Sequence, residues 1–138
     1  MAITIVKPSQ YLDKKTILRV AAEVFSFLGE EFEVGVKFAC ENCIRGLNKQ
    51  YRGKDEPTNV LSFNNEEHNK NGDIVICESF VEGEAKELKT AVSDLGLLYL
   101  VHGMLHLAGF DHTKPGERVK MEKIEKAILN KIGLEINK

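Results

Sequence analysis

The sequence predicts an α+β fold in a single domain, residues 1–138, with a small mixed sheet of about four strands packed against helices. Short β-branched runs alternate with longer segments of helical periodicity, and no repeat or long linker divides the chain. A chain of 138 residues with 43% hydrophobic residues can build one core. The formal net charge of −2 provides no basic field, so nucleic-acid binding would depend on a local patch.

The individual elements are predicted from β-branched or alternating runs for strands and from apolar side chains at helical spacing for helices. In chain order they are strand 3–6, helix 13–29, strand 33–39, helix 41–51, strands 60–63 and 73–77, one helix from about 82 to 108, and helix 115–132. Asp13 is the expected N-cap of the first helix, and Gly29 and Gly53 are the expected stops of the first two. The polar run 64–72 is expected to connect two strands as a hairpin.

Neither a secretory signal nor a membrane span is expected. The N-terminus lacks a basic region followed by an apolar core. The most apolar window, 95–110, is shorter than the ~20 residues that cross a bilayer and contains two histidines, so it is predicted to be a buried helix. The three cysteines, Cys40, Cys43 and Cys77, are therefore expected to be reduced thiols of a cytoplasmic protein.

Three of the four histidines lie in the stretch HGMLHLAGFDH, residues 102–112. His102 and His106 are one helical turn apart on one face, the spacing by which a helix offers two imidazoles to one metal ion. On a continuing helix His112 would be rotated by about 240° from His106, so the chain must turn, and Gly109 accepts the left-handed conformation that ends helices. Three imidazoles with an open fourth position predict a catalytic site for one zinc ion, although imidazole also suits nickel, copper and iron.

This arrangement is similar to the zinc motif of the metzincin proteases, HExxHxxGxxH, in which the glutamate beside the first histidine is the general base. Gly103 occupies that position, so a peptidase is disfavoured. Asp111 is a candidate hydrogen-bond partner for a ligand imidazole. Asp111 and Asp73 are both candidate proton acceptors, and the sequence does not choose between them.

The histidine motif, HG-x-LHL-x-G-x-DH, resembles the signature of the YbeY family of bacterial endoribonucleases. Two further blocks resemble the family: Leu47-Asn48 with Tyr51-Arg52 and PTNVLSF at 57–63, and GDIVI at 72–76. Asn64 and Asn71 depart from the residues that are commoner in the family at those places. Neither departure touches the predicted metal site, so they concern the shape of the loop.

The resemblance implies an α+β fold and a zinc-dependent endoribonuclease that prefers single-stranded RNA and acts in 16S rRNA 3′-end maturation and ribosome quality control. It implies His102, His106 and His112 as the metal ligands and Arg52 as a residue needed for activity. The implied partner is RNA, in particular rRNA of the small ribosomal subunit, with ribosomal or assembly proteins as further candidates and no membrane.

Arg52 also has a physical rationale of its own, because a guanidinium can fork onto phosphate oxygens and stabilise developing charge. The alternative is a surface ion pair with Asp55 or Glu56. A further hypothesis is that four basic residues that are close in sequence form a local basic patch: Arg45, Lys49, Arg52 and Lys54.

Three alternatives stay open. The CxxC of Cys40 and Cys43, between a strand and a helix, is placed as in a thioredoxin-like redox pair. A structural zinc site could combine Cys40, Cys43 and Cys77 with His68. A non-catalytic ribosome-assembly factor would use the metal only to hold its last helices together.

Overall fold

The computed structural model describes residues 2–65, 69–111, 113–134 and 136. In chain order these residues form β1 Ile3–Lys7, α1 Lys14–Leu28, β2 Val34–Phe38, α2 Glu41–Arg52, β3 Val60–Asn64, β4 Gly72–Ile76, α3 Glu78–Leu88, α4 Val92–Leu107 and α5 Pro115–Lys131. The strands make one mixed sheet in the order β1-β2-β4-β3, in which only β3 is antiparallel to its neighbour. The predicted α+β fold and the hairpin of β3 and β4 are confirmed.

The two faces of the sheet are covered unequally. Alternation along β4 sends Ile74 to one face and Val75 to the other. Ile74 belongs to the large core that also contains buried residues of α1, α4 and α5, and we call this side the α4 face. Val75 belongs to a small cluster with Ile44 of α2 and Leu61 of β3, on what we call the α2 face.

The centre of the fold is α4, which contacts α1, α3, α5, β3 and β4. Eleven of its sixteen residues are buried, so this helix has no wide polar side. None of the helices within the described ranges is both long and apolar enough to cross a bilayer. The predicted buried helix is therefore observed, and it lies against the sheet.

The prediction of one helix from about 82 to 108 is wrong, because two helices occupy this part of the chain and the first begins at Glu78. Lys89 adopts a left-handed conformation with φ 55°, and the N–H of Thr90 donates to the carbonyl of Ala85 at 3.0 Å. Neither glycine nor proline lies at this break, and the helical spacing of apolar residues continues across it. The sequence therefore gives no signal that the helix ends here. In α5 the apolar side chain of Val119 is 53% exposed, whereas Met121 is buried.

Candidate metal centre

His102 and His106 lie near the C-terminal end of α4. Both are half-buried, while Gly103, Met104 and Leu105 between them are buried. A separation of four residues puts the two imidazoles one turn apart on the same side of the helix. Because α4 is enclosed by other elements, the backbone that carries both rings is held rigidly.

A left-handed glycine ends this helix segment, as predicted. Gly109 has φ +107°, and the N–H of Phe110 donates to the carbonyl of Leu105 at 3.1 Å. His112, the third predicted ligand, lies outside the described residues, so the set of three histidines stays a prediction. Among the residues the structure does describe, no three His, Cys, Asp or Glu side chains form a metal-binding group.

Glu125 of α5 orients His102. The Nδ1 of His102 lies 2.6 Å from Oε1 of Glu125, and the two side chains are 25% and 14% exposed. A carboxylate that accepts from Nδ1 leaves Nε2 directed away from it, which is how metal-ligating histidines are commonly held. The pair therefore fits a metal ligand. Glu125 was not predicted from the sequence, although it stands four residues after Met121 and three before Ile128, on the buried side of α5.

The environment of His106 favours its neutral form. Burial is the main cause that lowers the pKa of His106 below the ordinary value, and the electrostatic interactions of His106 with His102 and with Arg52 lower this pKa further. The carboxylate of Asp111 acts in the opposite direction. A neutral imidazole is the form that coordinates a metal ion, so this environment also fits a ligand role.

The two candidate proton acceptors are placed differently. Asp111 Oδ1 accepts from the N–H and the hydroxyl of Thr113, at 2.9 and 2.6 Å, and these bonds lower the pKa of Asp111. Asp73 lies beside Gly35 on the α2 face, because its neighbour Ile74 points to the α4 face. Asp73 therefore does not fit the role of proton acceptor for a site on α4, whereas Asp111 stays a carboxylate near His106.

The glycine that replaces the metzincin glutamate has a packing role. A Cβ at Gly103 would lie 3.0–3.2 Å from three side-chain atoms of Ile74, which is fully buried in β4. The close approach of α4 to the sheet thus disfavours a side chain at this position, because Ile74 would have to shift to admit it.

Arg52, the last residue of α2, is exposed, and its charge reaches His106 strongly enough to lower the pKa of that imidazole. Asp55, one of the surface partners considered for Arg52, instead binds Arg45 at 2.7 Å. Arg45, one residue of the predicted basic patch, is thereby paired with a carboxylate. The structure thus brings Arg52 toward the histidines while Arg45 is held in a surface ion pair.

An aromatic pair lies next to Arg52. The rings of Tyr51 and Phe63 have centroids 4.6 Å apart, and Tyr51 is 59% exposed. The side chain of Asn64, which follows Phe63 in the edge strand β3, donates to the carbonyl of Leu107 at 3.1 Å. This bond links β3, which carries Phe63, to the end of α4, which carries His106.

A buried amide supports the end of α2. Asn48 is 3% exposed, and its Nδ2 donates to the backbone carbonyl of Glu56 at 2.9 Å. This bond ties the loop that follows α2 back to the helix, close to Arg52. The supporting function of Asn48 could not be predicted from the sequence, because its hydrogen bond depends on the path of that loop.

The three cysteines do not form one metal-binding cluster. Cys40 and Cys43 are exposed at the start of α2, whereas Cys77 is buried after β4. Within the described part of the chain no metal-binding group contains them, and His68 lies outside the described residues. The structural zinc alternative therefore has no support from the cysteines.

The fold and the histidine-bearing helix together define a small α+β protein with a candidate metal centre. The sequence model of the family described as "Endoribonuclease YbeY" matches residues 4–133. The chain belongs to this family, and the resemblance recognised in the sequence is confirmed.

Relatives named Endoribonuclease YbeY cover most of the chain. The protein of Colwellia psychrerythraea strain 34H is 42% identical over 118 residues, 82% of this chain and 76% of the relative. The protein of Alteromonas mediterranea is 44% identical over 108 residues, 75% of this chain and 68% of the relative. The solution structure of TM1509 from Thermotoga maritima has a TM-score of 0.67 at 27% identity and covers 94% of this chain and 91% of that one.

Proposed function

We propose that this chain is a zinc-dependent endoribonuclease that cleaves single-stranded RNA, with one zinc ion per chain held by His102, His106 and His112. Its proposed place is the cytoplasm, in 16S rRNA 3′-end maturation and ribosome quality control. Family membership supports the endoribonuclease role. The observation that carries the metal-dependent part is the contact of His102 Nδ1 with Glu125, one turn from His106 on the same helix.

The donor set fits zinc. When bound, zinc supplies Lewis-acid chemistry to water and to a phosphoryl oxygen. Glu125 holds the ring of His102 at its Nδ1, so that Nε2 is directed away from Glu125, and burial favours the neutral form of His106. The third ligand, His112, follows the turn at Gly109 in the sequence.

The chain's own residues would bind and orient the RNA. The guanidinium of Arg52 can hold phosphate oxygens with two parallel hydrogen bonds and balance the charge that develops on them. The exposed ring of Tyr51, backed by Phe63, offers a face on which an unpaired base can stack. A neighbouring 2′-hydroxyl can serve as the nucleophile, and Asp111 is the carboxylate near His106 that can take its proton.

The metal part is tested by elemental analysis of purified protein together with an RNA-cleavage assay. We expect about one zinc per chain in the wild type, and loss of both zinc and cleavage in His106→Ala. The double variant Cys40→Ser/Cys43→Ser is the control and keeps both. Zinc that is lost only with the cysteines, or full cleavage by metal-free protein, would contradict the proposal.

The RNA part is tested with Arg52→Ala. We expect kcat to fall by about 10²–10³ while zinc stays bound, since one charge-stabilising group is removed. Arg45→Ala is the matched control, because Arg45 is an exposed arginine of the same helix that pairs with Asp55; it keeps near wild-type kcat. Zinc-loaded wild type that binds RNA without turnover would instead favour the non-catalytic assembly factor.

A further inference from the structure

The two cysteines at the start of α2 are in contact with each other. Cys40 is the N-cap residue of the helix, and its Sγ accepts from the backbone N–H of Cys43 at 3.3 Å. The Sγ atoms of the two residues are 2.7 Å apart, and both side chains are exposed. Cys77 is fully buried, so it provides an unreactive thiol in the same chain.

The surroundings of Cys40 stabilise its thiolate. The hydrogen bond between the two thiols is the largest cause that lowers the pKa of Cys40, followed by the hydrogen bond with the backbone N–H of Cys43. The backbone N–H of Asn42 and the positive charge of Lys7, at the end of β1, lower the pKa further. Backbone N–H groups at a helix N-terminus favour a negative charge placed there.

We propose that Cys40 and Cys43 form a thiol–disulfide exchange site that reduces low-molecular-weight disulfides of the glutathione type. Cys40 is the attacking thiol and Cys43 the resolving thiol. This activity is separate from RNA cleavage, because Cys40 lies about 18 Å along α2 from Arg52.

The exchange balances as two displacements. The Cys40 thiolate attacks one sulfur of R–S–S–R, which forms Cys40–S–S–R and releases R–S⁻. Cys43 loses its proton, and its thiolate attacks Sγ of Cys40, which forms the Cys40–Cys43 disulfide and releases the second R–S⁻. The chain gives up two electrons and two protons, and R–S–S–R becomes two R–SH.

Closing this disulfide does not require the fold to move. Both cysteines belong to the first turn of one helix, and their sulfurs already touch. The residues that anchor α2, Ile44 and Asn48, lie further along the helix and keep their contacts. The oxidised chain is therefore expected to retain its structure.

The test incubates the reduced full chain with oxidised glutathione and maps thiols by alkylation and mass spectrometry. In the wild type we expect a Cys40–Cys43 disulfide and a free Cys77. In Cys43→Ser we expect a mixed disulfide with glutathione on Cys40, at least about tenfold more populated than in the wild type, because the resolving step is intramolecular. Cys40→Ser keeps an oxygen that can cap α2, so its failure to react reports loss of the attacking thiol and not of the helix.

Two results would overturn the proposal. One is a wild-type chain whose Cys40 and Cys43 both remain free thiols in excess oxidised glutathione. The other is a mixed disulfide that persists equally on the wild type and on Cys43→Ser, since Cys43 would then not act as the resolving thiol.

Discussion

The two helices that carry functional groups, α4 and α2, are built in opposite ways. Most of α4 is buried, and its histidines are half-exposed at a fixed backbone. In α2 only Ile44 and Asn48 are buried, and Tyr51 and Arg52 are exposed. The difference indicates that the two helices have different functions. The enclosed helix fixes the geometry of the proposed metal ligands, while the exposed helix offers side chains that can meet a large partner from solvent.

The largest expected effect comes from changing Glu125, whose carboxylate supports His102 on the enclosed helix α4. In Glu125→Gln we expect metal affinity to fall by about 10–100-fold, because His102 loses the carboxylate that orients it. The measurement is competition with a chromogenic chelator. Glu122→Gln is the matched control, since Glu122 is an exposed carboxylate of α5 that pairs with Arg118, and it keeps wild-type affinity. Equal affinities in the two variants would mean that Glu125 does not position the ligand.

A smaller effect is expected from the exposed helix. Tyr51→Ala should weaken binding of single-stranded RNA by about 1–3 kcal/mol, the usual value of one stacked base, while Tyr51→Phe stays near wild type. Fluorescence anisotropy with a labelled oligonucleotide measures both. Phe27→Ala removes another exposed ring, 49% exposed on α1, and should change nothing. If Tyr51→Ala and Phe27→Ala weaken binding alike, the aromatic pair is not part of the RNA site.

The smallest expected effects concern the free energy of unfolding, which should change in opposite directions when one glycine in each helix is replaced by alanine. Gly103→Ala should lower the free energy of unfolding by about 1 kcal/mol, because the added Cβ meets the buried side chain of Ile74. Gly46→Ala should raise the free energy of unfolding by about 0.5–1 kcal/mol, because the added Cβ meets nothing within 4 Å beyond the adjoining backbone of its own helix and alanine favours the helix. Urea denaturation measures both, and an equal gain in the two variants would show that α4 is not tightly packed on the sheet.

Elements that depend on local chemistry could be predicted well. The first helix begins after its N-cap Asp13, whose side chain accepts from the N–H of Thr16 at 2.8 Å. The first two helices end at Gly29 and Gly53, both with positive φ. The break between α3 and α4 was missed because Lys89 adopts the same conformation without a glycine's sequence signal. Backbone hydrogen bonds close the turn there, from the N–H of Lys89 to the carbonyl of Lys86 at 3.4 Å and from the N–H of Thr90 to the carbonyl of Ala85 at 3.0 Å.

The sequence alone determined two features of the candidate site, the spacing of the histidines on α4 and the place where this helix ends. His102 and His106 share a side of α4, and Gly109 turns the chain, because helical periodicity and glycine's backbone freedom act within a few residues. Only the tertiary structure decided that Glu125, 23 residues away, would meet His102, and that Arg52 would lie near His106. Those contacts depend on how α5 and α2 pack around the sheet, which no local pattern encodes.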